Sequence, residues 1–165
     1  MLIPIFVGDS GKPELLFIRR SDDLSTHPGQ VAFPGGSREP GDADLCETAL
    51  REAHEEVDLH PDDVEVLGPL NDMVTITGYH IRPYVGLVQR GAHTKVSSPE
   101  VAEVFKVPLS VLMGTDPAEK RMMVDGVARK FGVYLHGDHV IWGATAAILR
   151  GLLKLLKPYD PLNVS

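Results

Sequence analysis

The chain has 165 residues, 43% hydrophobic and 24% charged, and its 16 basic and 23 acidic residues leave a formal charge of −7. That length and balance exclude a mainly disordered chain, and one that needs disulfides or a structural metal to hold a core. The acidic surplus argues against an electrostatic nucleic-acid binder, and a lone cysteine, Cys46, rules out an internal disulfide framework and argues against a Cys/His zinc site. A reducing, cytoplasmic home fits this cysteine usage. The N-terminal Met1–Val7 has no basic segment before its apolar run and no small-residue cleavage site, so it does not read as a signal peptide. The longest apolar stretch, Val140–Leu156, is broken by Arg150 and Lys154 and is too short to span a bilayer.

In chain order, Ile3–Val7 and Leu15–Arg19 read as strands around a turn at Gly8-Asp9-Ser10-Gly11. Residues 21–30 form a polar loop, and Val31–Phe33 a short strand that ends at Pro34-Gly35-Gly36. Asp44–Val57 reads as a helix, capped by Asp44 with Glu47 completing a capping box, and Pro61 lies past its end. Glu65–Leu70, Met73–Thr77 and Ile81–Gln89 are strand candidates, the last with Pro83 marking an edge or a start. Val101–Phe105 and Leu109–Met113 read as short helices or turns. Met122–Val124, Val127–Tyr134 and His139–Val140 read as short strands or a hairpin, and Ile141–Leu156 as a closing helix. This mixed order implies an α/β or α+β layered fold within one domain over residues 1–165.

At about 100° per residue, Leu45, Cys46, Ala49, Leu50, Ala53 and Val57 form one apolar stripe on the Asp44–Val57 helix. Glu52 lies at its edge and Glu56 inside it, while Glu55 lies beyond Glu52. A solvated acidic face accounts for Glu47, Arg51 and Glu55. It does not account for Glu56, because a carboxylate turned toward a core is costly unless something pairs with it. Three carboxylates on adjacent turns also repel one another. A divalent cation removes both difficulties, and hard oxygen ligands without cysteine or histidine favour magnesium or manganese. Arg51 pairs with Glu47 or Glu55, orients the glutamates, or does both. Gly35-Gly36 is either a plain turn or a place where backbone approaches a metal or phosphate closely.

These residues resemble the box of the Nudix hydrolases, a glycine and an acidic residue followed by Arg-Glu-apolar-x-Glu-Glu. The chain reads Gly36 to Asp42, then Arg51-Glu52-Ala53-His54-Glu55-Glu56-Val57-Asp58-Leu59. Three details depart from the general pattern. The gap between Asp42 and Arg51 is one residue longer, Asp42 replaces a glutamate, and Asp58 replaces the closing glycine. Aspartate tolerates a left-handed helix end better than most residues do. Leu15–Ser21, Leu24, His27, Gly29–Gly36, Thr48–Ala53, Arg82–Gly86 and Ile141–Ala146 are similar to the coenzyme A diphosphatase branch, which also carries the longer gap.

The resemblance implies an α/β/α sandwich around a mixed sheet, with magnesium or manganese bound by Glu52, Glu55 and Glu56 beside Gly36. It implies hydrolysis of a diphosphate bond in a nucleotide derivative such as coenzyme A. The competing readings are a relative acting on nucleotide sugars, ADP-ribose or nucleoside triphosphates, and a catalytically silent nucleotide-binding module. A box glutamate, Glu100 or Glu103 is the candidate general base. Arg19, Arg20 and Arg38 are candidate phosphate contacts, because guanidinium groups match phosphate oxygens. One of the Arg19–Arg20 pair must face inward from its strand end. His27 and Gln30 line the pocket or only close their loop, and Trp142 stacks a base or packs at a helix start. The partners implied are a small nucleotide substrate, no nucleic acid and no membrane. The apolar face of Ile141–Leu156 buries either in the domain or in a homodimer.

Overall fold

Alternation along one strand organises the molecule. In β2 (Pro13–Arg20) the four apolar residues Leu15, Leu16, Phe17 and Ile18 are all buried, so both faces of this strand are covered. Odd positions join one apolar cluster and even positions the other. The computed structural model describes residues 1–8, 11–75, 77–124 and 126–159.

The main sheet contains β1 (Leu2–Val7), β2, β3 (Val31–Ala32), β4 (Val64–Pro69), β7 (Tyr84–Val88) and β8 (Val101–Pro108). β2 is paired over Pro13–Leu15 by β1, at Ile18 and Arg19 by β3, and from Glu14 to Arg20 by β8. A strand has only two edges. β1 and β3 do not overlap in register and therefore lie in line on one edge, while β8, which overlaps both, takes the other. β1 then runs parallel to β7, and β7 antiparallel to β4, which makes the sheet mixed. Two short additions complete the strands. β5 (Met73–Val74) pairs with β6 (His80–Ile81), and β9 (Ala118–Val124), β10 (Val127–His136) and β11 (His139–Ile141) form an antiparallel three-stranded sheet.

Helices cover both faces. Ala49, Ala53 and Val57 of α1 (Leu45–Val57) pack with Leu2, Leu16, Ile18 and Val101 on one side. On the other side, α2 (Leu109–Met113) and α3 (Gly143–Leu156) pack through Leu109, Leu112, Ile148, Leu149 and Leu152 on Ile3, Leu15, Phe17, Phe33 and Val107. Phe17 stacks on Phe33 and Phe105 at centroid distances of 4.6 and 5.7 Å. Phe17 and Phe33, fully buried, each contribute about 1.5–3 kcal/mol. The fold is thus the expected mixed α+β arrangement, with helices on either side of the sheet.

Several boundaries differ from the sequence reading. Val101–Phe105 is no helix or turn but the start of β8, because seven residues of that strand pair with β2. The closing helix begins at Gly143, since Ile141 belongs to β11 and Trp142 is the N-cap. Arg82 and Pro83 split the Ile81–Gln89 strand into β6 and β7. β5 ends at Val74, and Ile76 of the expected Met73–Thr77 strand lies outside the described residues. The first turn closes through Gly11 N–H to Gly8 O and Gly8 N–H to Lys12 O, with Asp9 and Ser10 outside the described residues.

Candidate active site

α1 begins and ends as its residues dictate. The Asp44 carboxylate accepts from Cys46 N and Glu47 N at 2.8 and 2.9 Å. Glu47 reaches back one residue further than a capping box requires, accepting from Ala43 N at 2.6 Å. Arg51 therefore does not pair with Glu47. At the other end Asp58 adopts φ 57°, ψ 28°, the left-handed end anticipated for it, and its N–H donates to Ala53 O and His54 O.

Arg51 is a hub. Its Nε and Nη2 bind the Asp42 carboxylate at 2.9 and 3.1 Å, Nη2 also reaches Ser37 O, and Nη1 lies 3.1 Å from both Glu52 Oε1 and Glu55 Oε2. Asp42 is buried, and it further accepts from Thr48 Oγ1 at 2.8 Å and Glu39 N at 2.9 Å. The Arg51 guanidinium and these donors hold the Asp42 carboxyl far below the usual carboxylate range. Asp42 in turn holds Arg51 more firmly protonated than a free arginine. Sequence reasoning treated Asp42 as a replacement within the box and missed its pairing with Arg51. It also missed the buried Thr48. The signal that could have found Asp42 was its place at the acidic position of the box.

Glu56 lies where the helical wheel put it, only 5% exposed, with Oε2 accepting from Gly35 N at 2.9 Å. Burial pushes its carboxyl up to about 7, against the Gly35 bond, and the neighbouring charge of Glu52 adds to the rise. Burial raises Glu52 as well. Glycine is required at Gly35 and brings backbone close to a carboxylate at Gly36. A Cβ on Gly36 would press on the Glu52 carboxylate, and Gly35, at φ 153°, would place one 2.6 Å from the backbone Cα of Met1. The turn therefore brings its backbone against both carboxylates.

The structure divides the remaining candidates between the two sheet faces. Arg20 follows the even positions onto the α1 side, where its charge is felt by Glu56 and its Nη2 lies 3.8 Å from Glu100 Oε2. Its buried Nε has no partner among the described residues. Arg19 follows the odd positions to the α3 side, 3.0 Å from Asp22 and 3.6 Å from Glu103. Glu103 also accepts from His139 at 3.1 Å, and that imidazole stacks on Phe105 at 3.7 Å. Arg38 is spent on loop carbonyls, those of Asp42 and Ala43 at 2.9 and 3.0 Å. His27 is exposed at φ 55°, and its carbonyl accepts from Gln30 N. Gln30 turns its amide toward Gly143 at the start of α3. Trp142 is half-buried and tilted against Phe131 at 6.4 Å, so it packs at its helix start.

Glu52, Glu56 and Gly36 are thus adjacent, with Arg20 and Glu100 nearby, while Arg51 holds Glu55 as well as Glu52. Among the described residues no three acidic, histidine or cysteine side chains converge on one point as they stand. The donor chemistry nevertheless suits a hard divalent cation. Two burial-strained carboxylates face a glycine cradle, and the partnerless Arg20 Nε lies on the same side. No helix is long and apolar enough to cross a membrane among the described residues.

Comparisons with known proteins agree with this geometry. The NUDIX domain family matches residues 2–124. The Nudix hydrolase NudL of Photorhabdus laumondii is 40% identical over 153 residues, covering 92% of this chain and 81% of the relative, and that of Enterobacter sp. is 37% identical over 155 residues, covering 92% and 79%. Among solved structures, the MutT protein of Methanosarcina mazei aligns with a TM-score of 0.53 at 25% identity, covering 70% of this chain and 80% of that one. A MutT/nudix family protein from Enterococcus faecalis aligns with 0.61 at 13% identity, covering 94% and 60%, and shares the fold. The Gly36-to-Glu56 turn and helix lie within the matched stretch. The chain belongs to the Nudix hydrolases, a family that acts on diphosphate bonds of nucleoside diphosphate derivatives and generally uses a divalent metal such as Mg2+ or Mn2+.

Proposed function

We propose that residues 1–165 form one catalytic domain that hydrolyses the diphosphate bond of coenzyme A or acyl-coenzyme A, giving a phosphopantetheine fragment and adenosine 3',5'-bisphosphate. One observation carries this reading. The segment that resembles the coenzyme A diphosphatase branch, Leu15–Gly36, is the one that delivers Arg20, Gly35 and Gly36 to the glutamates of α1.

In this reading Glu52, Glu55 and Glu56, with the backbone at Gly36, would hold magnesium or manganese. A divalent cation there supplies charge neutralisation of the diphosphate and a bound water of lowered pKa. The chain's residues do the rest. Thr48 holds Asp42, Asp42 fixes Arg51, and Arg51 holds both Glu52 and Glu55, the latter of which would have to leave Arg51 to reach a metal. Arg20, the guanidinium facing the cluster, contacts a phosphate oxygen. Arg38 holds the loop in shape, and Arg19 stays engaged on the far side of the sheet. Glu103 is taken by Arg19 and His139, which leaves Glu100 or a box glutamate to accept the proton of the attacking water.

The test is turnover. The protein is incubated with Mg2+ or Mn2+ and coenzyme A, ADP-ribose, nucleotide sugars or nucleoside triphosphates, and the products are identified by mass. Coenzyme A should be cut to the two named products. Turnover of nucleotide sugars with none of coenzyme A defeats the substrate assignment, and no turnover of any diphosphate leaves a silent nucleotide-binding module.

A further inference from the structure

A cleft of about 680 Å³ opens between the β9–β10 hairpin, α2 and α3. It lies on the α3 side of the sheet, opposite α1 and its glutamates. Lys130, Arg150 and Lys154 line it, beyond the stretch that matches the family. Lys157 lines it too, with Asp116 and Glu119, so four cations face two carboxylates in a chain whose formal charge is −7. Lys130 is neutralised by Glu119 at 2.9 Å. Arg150 and Lys154 have no carboxylate within 4.0 Å among the described residues. They also stand four apart on the exposed side of α3, where like charges destabilise a helix.

Gly151 points the same way. It lies inside α3, where glycine costs about 1 kcal/mol relative to alanine. A Cβ built on it meets nothing within 4 Å, so neither packing nor backbone shape in the chain explains the glycine. It lines an adjoining cavity of about 430 Å³ that shares Lys130, Phe131, Arg150 and Lys154 with the first, so that the two form one continuous cleft along α3. An aromatic wall completes the arrangement, with Phe131 half-buried and held against Trp142.

We propose that this cleft binds a nucleoside phosphate, its phosphates on Arg150 and Lys154, its base on Phe131 and its body over the bare helix surface at Gly151. Guanidinium and ammonium groups without carboxylate partners suit phosphate oxygens, and an accessible aromatic face suits a base. The site is separate from the diphosphate-hydrolysing centre and does not depend on which substrate that centre prefers.

Calorimetry of the full chain in EDTA, where hydrolysis does not consume the probe, tests this. The probes are ADP, inorganic pyrophosphate and adenosine. ADP should bind at one site more tightly than either fragment. Arg150→Ala with Lys154→Ala should weaken ADP by about tenfold or more, as charge-assisted hydrogen bonds are lost. Gly151→Leu, which favours helix while filling the cleft, should abolish binding, and Glu56→Gln should leave it intact. Metal-dependent turnover should be unchanged in the α3 variants. Pyrophosphate binding as tightly as ADP overturns the nucleoside assignment. Absence of ADP binding, or binding that survives Gly151→Leu but is lost in Glu56→Gln, overturns the site.

Discussion

At the scale of single residues, Glu56 links stability to pH. Its carboxyl holds a proton more tightly folded, at about 7, than unfolded, at 4.5. Its contribution is therefore fully present below the unfolded value and is lost as pH rises through the folded one, up to about 3 kcal/mol. Urea unfolding of metal-free protein should show stability falling between about pH 4.5 and pH 7, and Glu56→Gln should flatten that fall. Equal slopes in the two proteins would contradict the assignment. Asp42 makes a second prediction. Asp42→Asn keeps the shape but removes the charge that fixes Arg51, so kcat/KM should drop about 10–100-fold with circular dichroism unchanged. Unaltered turnover would mean that Arg51 needs no such anchor. The glutamates were legible in the sequence because helical spacing alone put Glu56 in the apolar stripe. The Asp42–Arg51 bond was not, because it depends on how the loop from Ser37 to Ala43 folds back on the helix.

At the scale of elements, the end of α1 was legible from one residue. Asp58 does take the left-handed conformation that glycine would adopt without strain, and Lys95 contacts its carboxylate at 3.0 Å on the surface. Asp58→Gly should relieve about 1 kcal/mol of backbone strain, slightly offset by the lost surface pair, and raise the midpoint of thermal unfolding by about 2–4 °C. Calorimetric scans at one pH check this, and a lower midpoint would show that the Lys95 contact matters more than the backbone. β8 was misread for a physical reason. Val101, Val104 and Phe105 recur at helical spacing, and Val101 and Phe105 serve opposite faces of the sheet. What makes the segment a strand is its long-range partner β2, which local periodicity does not reveal. The β9–β10 hairpin was legible because its partners are close in sequence.

At the scale of the whole molecule, the proposed metal site would set a cation and a proton in competition for the same buried carboxylates. Saturating Mg2+ should raise thermal stability, and raise it more at about pH 8 than at about pH 6, because binding at the lower pH must first displace the proton of Glu56. Differential scanning at both values checks this, and a metal effect independent of pH would place the cation away from Glu56.

The pairing of β2 with both near and distant strands also fixes the order in which the molecule can be completed. Its partner on one edge, β8, ends at residue 108, and β1 finds its parallel partner only with residues 84–87. A chain leaving the ribosome thus exposes an apolar β2 and a finished acidic helix long before either can be covered. Non-local closure of this kind is slow and leaves strand edges open meanwhile. The carbonyls of Glu56 and Val57 at the end of that helix stay open until Ser97 and Lys95 arrive to donate to them.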